Sequence, residues 1–174
     1  AETNVPIWLL GSAGFSAQLA GQLGLPFAAA GHFSPDNLLG GLEIYRRSFR
    51  PSETLQAPYA MVGVNVFAAD TEEEARRIST SQTQSTLNLI RGTPGQLPPP
   101  VDSMNGRWTE AEQSAVASFA RGSIIGDPAK VRSSLEALLS TTSANEIMVH
   151  GMIYDHAARL RSYEIVAEIF GGKK

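Results

Sequence analysis

The sequence predicts an α/β fold in which short parallel strands alternate with helices, and three observations carry that expectation. A β-then-α order repeats along the chain, the strand segments are apolar with little alternation, and small residues stand at their C-terminal ends. Strands buried on both faces read as continuous apolar runs, and strands separated by helices pair in parallel through right-handed crossovers. Four buried strands are expected.

The first is Ile7-Trp8-Leu9-Leu10, ended by Gly11. Phe15, Leu19 and Leu23 then recur at four-residue intervals, as the inner stripe of a helix that Gly24 stops. Pro26 opens the second strand at residues 27–30. Ser34 and Pro35 supply an N-cap and a first-turn proline for a helix with Leu38, Leu42, Tyr45 and Phe49 inward and Glu43, Arg46 and Arg47 in solvent. Arg50-Pro51 ends it. The third strand runs from Tyr59 to Phe67 and on to Ala69-Asp70. Thr71-Glu72-Glu73-Glu74 reads as a capping box opening a charged helix, whose Arg76 and Arg77 face solvent. Residues 92–122 break the regularity with Pro94-Gly95, a triple proline at residues 98–100 and a capped segment at 109–119, and form an excursion loop. Ile124-Ile125-Gly126 leads through Asp127-Pro128 into a helix with Val131, Leu135 and Leu138 inward. A last strand at residues 146–154 precedes a helix that begins at Asp155 or His156, ends at Phe170 and buries Leu160, Tyr163, Val166 and Phe170. Gly171, Gly172, Lys173 and Lys174 follow as a frayed tail. The 174 residues read as one domain. Periodicity alone fits an open sheet and a closed barrel equally; Gly11, Gly31 and Gly151 at strand ends suit a barrel mouth better.

Composition narrows the function classes. With 43% hydrophobic and 18% charged residues the chain can bury a substantial core, and a net charge of −3 offers no electrostatic attraction to nucleic acid or an acidic membrane. No cysteine is present, which excludes disulfides and thiolate metal sites. No apolar run spans a bilayer and Ala1-Glu2-Thr3-Asn4 lacks the features of a signal peptide, so a soluble, cytoplasmic protein is expected. The chain enters its first apolar run within about five residues and without Met, and a missing upstream portion is expected.

Ligands of such folds bind at the C-terminal ends of strands, which directs attention to residues 11–16, 31–34, 70–71 and 151–156. Gly11, Ser12, Ala13, Gly14, Phe15 and Ser16 combine a flexible turn, two hydroxyls and free backbone N–H groups at a helix start, a chemistry suited to phosphate. The same residues fit an ordinary capped helix equally well, and neither a full GxGxxG nor a P-loop lysine is present. His32 orients the Ser34-Pro35 turn or faces a substrate; His150 is structural or exposed; His156 caps or opens the last helix. Three dispersed histidines give no metal site. No nucleophile–base arrangement is evident, so no catalytic residue is assigned.

The stretch Trp8-Leu9-Leu10-Gly11-Ser12-Ala13-Gly14-Phe15-Ser16-Ala17-Gln18-Leu19-Ala20, then Leu23-Gly24-Leu25-Pro26-Phe27 and His32-Phe33-Ser34-Pro35, resembles the fifth and sixth βα units of luciferase-like flavin monooxygenases. Leu87-Asn88-Leu89-Ile90-Arg91-Gly92, Pro98-Pro99-Pro100-Val101-Asp102 and Asp155-His156-Ala157-Ala158-Arg159-Leu160-Arg161-Ser162-Tyr163-Glu164 continue the resemblance in the same order. It implies the C-terminal half of a (β/α)8 TIM barrel, with four parallel strands and alternating helices, and FMN as cofactor. The FMN phosphate falls on residues 11–16, and Trp108 matches a position near the flavin, although packing of its loop explains that residue equally. The family often has a second Ser at Ala13, a Tyr at Phe15 and a His at Gly31, so those side-chain roles do not carry over. The implied reaction is reduction of FMN by NAD(P)H or a partner reductase, followed by oxygen activation and attack on a small organic substrate. In flavin enzymes the cofactor carries the redox chemistry, so a missing acid–base set is no objection. An open half-barrel exposes strand edges and an apolar face, so the chain is expected to pair with its own copy or with a separate N-terminal half. A half-barrel that binds flavin without turnover, or is purely structural, is the alternative. A phosphate-binding sugar isomerase ranks last, for want of catalytic carboxylates.

Overall fold

The computed structural model describes residues 5–171; the expected polar start at residues 1–4 and the tail at 172–174 lie outside the described residues. The chain divides into two compact units, Ala1–Val64 with Leu139–Met148, and Asn65–Leu138 with Val149–Lys174.

The first unit contains β1 (Leu9–Gly11), α1 (Gly14–Leu23), β2 (Phe27–Ala29), a 3-10 turn (Pro35–Asn37), α2 (Leu38–Ser48) and the start of β3 (Ala60–Ala68). β1 lies parallel to β2 with Leu9 opposite Phe27, and β2 lies parallel to β3 with Phe27 opposite Ala60. Tyr45 is fully buried on α2, as its stripe requires, beside Leu42 and Phe27. Its ring centroid lies 5.4 Å from that of Phe27. Its hydroxyl donates to the Leu25 carbonyl at 2.9 Å and accepts from the Tyr59 N–H at 3.0 Å, so burying the polar tip leaves no group unmatched. Burial pushes the Tyr45 phenol pKa up.

Two expectations about this unit fail. Ile7 and Leu10 are not buried on both faces but stand 63% and 68% exposed. Phe15 and Leu23 do not form the inner stripe of α1, whose buried residues are Ala17, Ala20 and Gly21. The reason is close approach. A Cβ at Gly21 would sit 2.7 Å from the Tyr45 carbonyl oxygen on α2, so only small residues fit that seam and the large ones turn outward. Gly24 does end α1 in the left-handed conformation, φ 61°, with its N–H on the Ala20 and Gly21 carbonyls.

The second unit holds the rest of β3, then α3 (Glu72–Ile90), α4 (Glu110–Ala120), β4 (Ile124–Gly126), most of α5 (Pro128–Thr142), the end of β5 (Glu146–His150) and α6 (His156–Ile169). β4 runs parallel to the end of β3, with Val66 opposite Ile124, and β5 also pairs with β3. The α/β alternation is therefore as expected, with β4 added to the four expected strands. Ile124 and Ile125 are the only apolar residues between Gly122 and Gly126, too short a run to mark β4 as a strand in sequence. Val131 and Leu135 are fully buried, as their spacing requires.

α6 is turned by one residue, about 100°, from the expected phase. Ser162, Ile165 and Ile169 are buried, while Leu160, Tyr163 and Phe170 are exposed and Val166 is half-buried. Ser162 sets the phase by accepting from the Ala68 N–H at 3.0 Å, which satisfies a buried backbone donor at the end of β3. The box expected at Thr71 is half made. Thr71 accepts from the Glu74 N–H, but the Glu74 carboxylate turns to Arg77 at 2.7 and 2.8 Å. The excursion is ordered by α4, where Thr109 and Glu112 do complete a reciprocal box. Among the described residues no helix is long and apolar enough to cross a membrane.

Candidate functional site

The loop between β1 and α1 is built from a short strand and a helix that lacks its own cap. The residue in the N-cap position is Ala13, with extended backbone (φ −133°, ψ 165°) and no side-chain oxygen to offer, and the first turn of α1 carries no acidic residue. An ordinary helix start satisfies one or two of its open N–H groups with Ser, Thr, Asp or Asn. Here no side chain caps those donors, and no acidic residue in the first turn offsets the positive end of the helix dipole. Gly11 is required by close approach: a Cβ on it would lie 2.5 Å from the Ser16 Cβ and 2.6 Å from its Oγ. The Ser16 hydroxyl, in the first turn of α1, therefore sits directly over the strand end, and Ser12 stands on the loop just before that turn. Two hydroxyls and a row of backbone donors can hold a tetrahedral anion through hydrogen bonds alone.

A small cleft beside this loop is lined by Gly11 and Ser12 from one side and by Gly31, Ser34, Asn37 and Leu38 from the other. Ser34 does not cap the following turn with its side chain; its hydroxyl accepts from the Asn37 amide at 2.8 Å. α2 likewise has no side-chain cap. The His32 ring packs over Gly63, where a Cβ would collide with it.

Trp108, in the second unit, packs against a buried cluster of Leu87, Met104 and Val116. His150 lies with Nδ1 2.9 Å from the Asn65 Oδ1, and His156 opens α6 while Asp155 supplies the cap. Among the described residues no group of three or more His, Asp or Glu side chains is placed to hold a metal. Arg46 is not a plain solvent-facing charge. It donates to the Thr142 and Ser143 carbonyls at 2.5 and 3.0 Å, a cation on the C-terminal end of α5. Its sequence neighbours give no hint of this, because the partners lie 96 and 97 residues away.

A larger cleft of about 470 Å³ opens at the end of β3, between Asp70, Thr71, Glu74 and Ile78 on one side and Ala157, Ala158 and Arg161 on the other. The sequence marks its strand-end loops but not the cleft. Arg161 pairs with Asp70 at 2.8 Å and with Glu168 at 3.0 Å. That guanidinium holds the Asp70 carboxyl below the usual carboxylate range. With its acids paired and Thr71 occupied as a cap, the cleft presents mainly alanine and isoleucine surface.

Residues 1–164 match the luciferase-like monooxygenase family. The luciferase-like monooxygenase of Escherichia coli strain K12 is 50% identical over 95% of this chain and 50% of its own length. The crystal structure of apo-MsnO8 superposes with a TM-score of 0.90 at 30% identity, over 99% of this chain and 53% of that one. The oxygenating constituent of 3,6-diketocamphane monooxygenase from Pseudomonas putida, solved in complex with FMN, shares the fold at 20% identity, with a TM-score of 0.61 over 92% of this chain and 46% of that one. This chain spans about half the length of the curated relatives it matches. Its α/β order, its strand-end loop and a match along nearly all its length make it a member of the luciferase-like monooxygenase family.

Proposed function

We propose that the chain forms the phosphate-binding half of an FMN-dependent monooxygenase, which oxidises a small organic substrate with O2 and flavin reduced by NAD(P)H or a partner reductase. The observation that carries this reading is the uncapped start of α1 behind Gly11. Ala13 leaves the helix N–H groups open, Gly11 admits the Ser16 hydroxyl, and Ser12 lines the adjoining cleft. These residues suit a phosphate monoester with two ionisable oxygens, which the ribityl phosphate of FMN supplies. When bound, the flavin would supply the redox chemistry. This chain's part is to hold the phosphate end by the backbone donors of residues 14–16 and the hydroxyls of Ser12 and Ser16, and so to orient the rest of the cofactor. Trp108 is proposed as a flavin neighbour on family resemblance; its packing against Leu87, Met104 and Val116 supports the loop-packing role equally.

Titration of the full chain with FMN and with riboflavin tests the phosphate cradle. Quenching of flavin fluorescence should show FMN binding at least about 100-fold tighter than riboflavin, since two or three charge-assisted hydrogen bonds are at stake. Equal affinities would remove the reading. Exposed Ile7 and Leu10 flank and occupy a strand whose described partner is β2, and this supports assembly with a second copy or with a separate N-terminal half. Light scattering that shows a folded monomer in isolation would refute that assembly. Because the chain spans half of its relatives, flavin binding without turnover is a second reading. Oxygenated product formed from an organic substrate by the flavin-loaded protein, with NAD(P)H, O2 and a reductase supplied and above the level given by reductase and FMN alone, separates the two.

A further inference from the structure

In the second unit a cavity of about 20 Å³ lies among α3, α4 and β4. One wall is a polar stripe of α3, Ser79, Gln82, Thr83 and Thr86, at the i, i+3, i+4, i+7 spacing of a single helix face. The opposite walls are apolar, with Phe67, Ile125, Val116 and Phe119, and Ser123 stands where the chain enters β4. A helix that turns four polar residues toward apolar walls contradicts the usual division of faces. The Ser79 and Thr83 hydroxyls are satisfied locally, donating to the Arg76 carbonyl at 2.7 Å and the Ser79 carbonyl at 3.2 Å. Gln82 Oε1 and Ser123 Oγ are shut off from solvent, and neither has a hydrogen-bond partner within the protein.

Buried oxygens of this kind are destabilising unless something donates to them. The volume decides what can. It exceeds the roughly 10–15 Å³ that one water needs and falls far below the several hundred that an organic ligand fills. We infer that this cavity is a binding site for a single ordered water, which donates to Gln82 Oε1, bonds Ser123 Oγ and so joins α3 to the entrance of β4. The hydroxyls of Ser79 and Thr83 each keep acceptor capacity on the same wall, which gives the water the two to four partners that buried waters have. The Ser123 N–H already donates to the Ala120 carbonyl at 2.8 Å, so the water also fixes the end of α4. The polar stripe of α3 then reads as a wet seam under the excursion loop.

A high-resolution crystal structure of the full chain should show one water within about 2.6–3.2 Å of both Gln82 Oε1 and Ser123 Oγ. A dry cavity, or a direct bond between the two side chains, would overturn the inference. Unfolding equilibria of Gln82→Leu, Ser123→Ala and the double variant give a second readout that does not depend on crystals. Each single change strands the other partner and should lower the folding constant about fivefold, while the double variant loses no more than one single. Additive losses count against a shared water.

Discussion

Thr71, Thr109 and Asp155 each turn a side-chain oxygen back onto the third backbone N–H of the helix they begin, at 3.2, 3.3 and 2.8 Å, and Asp127 does the same for α5 at 2.9 Å. Ala13 and Asn37, at the starts of α1 and α2, make no such bond. The helices of the second unit are thus each capped by a side chain, and those that follow β1 and β2 in the first unit are not, although the Leu38 N–H of α2 is taken up by the Pro35 carbonyl. α3 and α4 add acidic residues in their first turns, whereas α1 and α2 have none, so the local field differs in the same sense. A capped start contributes stability and holds nothing else. An open start forgoes that contribution and keeps its donors available for an anion. On the proposed reading, the uncapped start of α1 is where this chain binds, and the capped starts only stabilise the fold.

The largest expected effect comes from closing the open start. Ala13→Asp would place a carboxylate on the N–H groups proposed to hold the FMN phosphate. Like charges at hydrogen-bonding range cost roughly 3 kcal/mol in a partly exposed site, so FMN affinity should fall on the order of 100-fold. The same change should stabilise the fold by about 1 kcal/mol as a new N-cap. Loss of binding with gain of stability, measured by flavin quenching and urea unfolding, is a combination that a merely damaged loop does not produce. Retained affinity would refute the assignment of the site.

Gly11→Ala ranks next. Its Cβ must displace Ser16, which is close-packed against the strand end, and the hydroxyl moves with it. A loss of about tenfold in FMN affinity is expected, from one misplaced hydrogen bond to a charged group. Riboflavin, which lacks the phosphate, should bind the variant and the parent alike.

How much of this contrast was legible in the sequence follows from the range of the forces involved. Caps are local: Thr109 with Glu112, Asp155 and Asp127-Pro128 could be read from a few neighbouring residues, as could Gly24 and the loop at residues 11–16. The phase of a helix is set by what it packs against. α1 turned Phe15 outward because α2 approaches too closely at Gly21, and α6 rotated because Ser162 serves a donor at the end of β3. Spacing could not reveal either. Glu74 could have completed the box at Thr71, but Arg77 one turn on competes for its carboxylate. The wet stripe of α3 was present in the sequence as Ser79, Gln82, Thr83 and Thr86, and only the apolar walls opposite make it unusual.

Removing caps from the closed helices should have a smaller and purely structural effect. Thr71→Ala, Thr109→Ala and Asp155→Ala should each cost about 1 kcal/mol of stability, with Thr109 at the upper end because its box is reciprocal. None should change FMN affinity, since none of these caps lies in the cradle of residues 11–16. A cap variant that folds normally yet releases flavin would break the division between closed and open helix starts.

The smallest expected effect concerns Glu112, whose pKa is lowered to about 2 by the Arg91 guanidinium and by the Thr109 N–H. A carboxyl depressed in the folded state stabilises it above the unfolded value of 4.5, and that contribution is lost as pH falls through about 2. The urea midpoint should therefore decline across this window, and Glu112→Gln should flatten the decline. The two tryptophans divide the units between them, Trp8 in the first and Trp108 against Val116 of α4 in the second. With 5-fluorotryptophan incorporated, the Trp108 resonance should shift with acid before the Trp8 resonance does. The first turn of α1 carries no carboxylate that could respond in the same way. Simultaneous shifts would mean that acid acts on the whole chain, and the capped helix start at Thr109 would then have no separate titration to report.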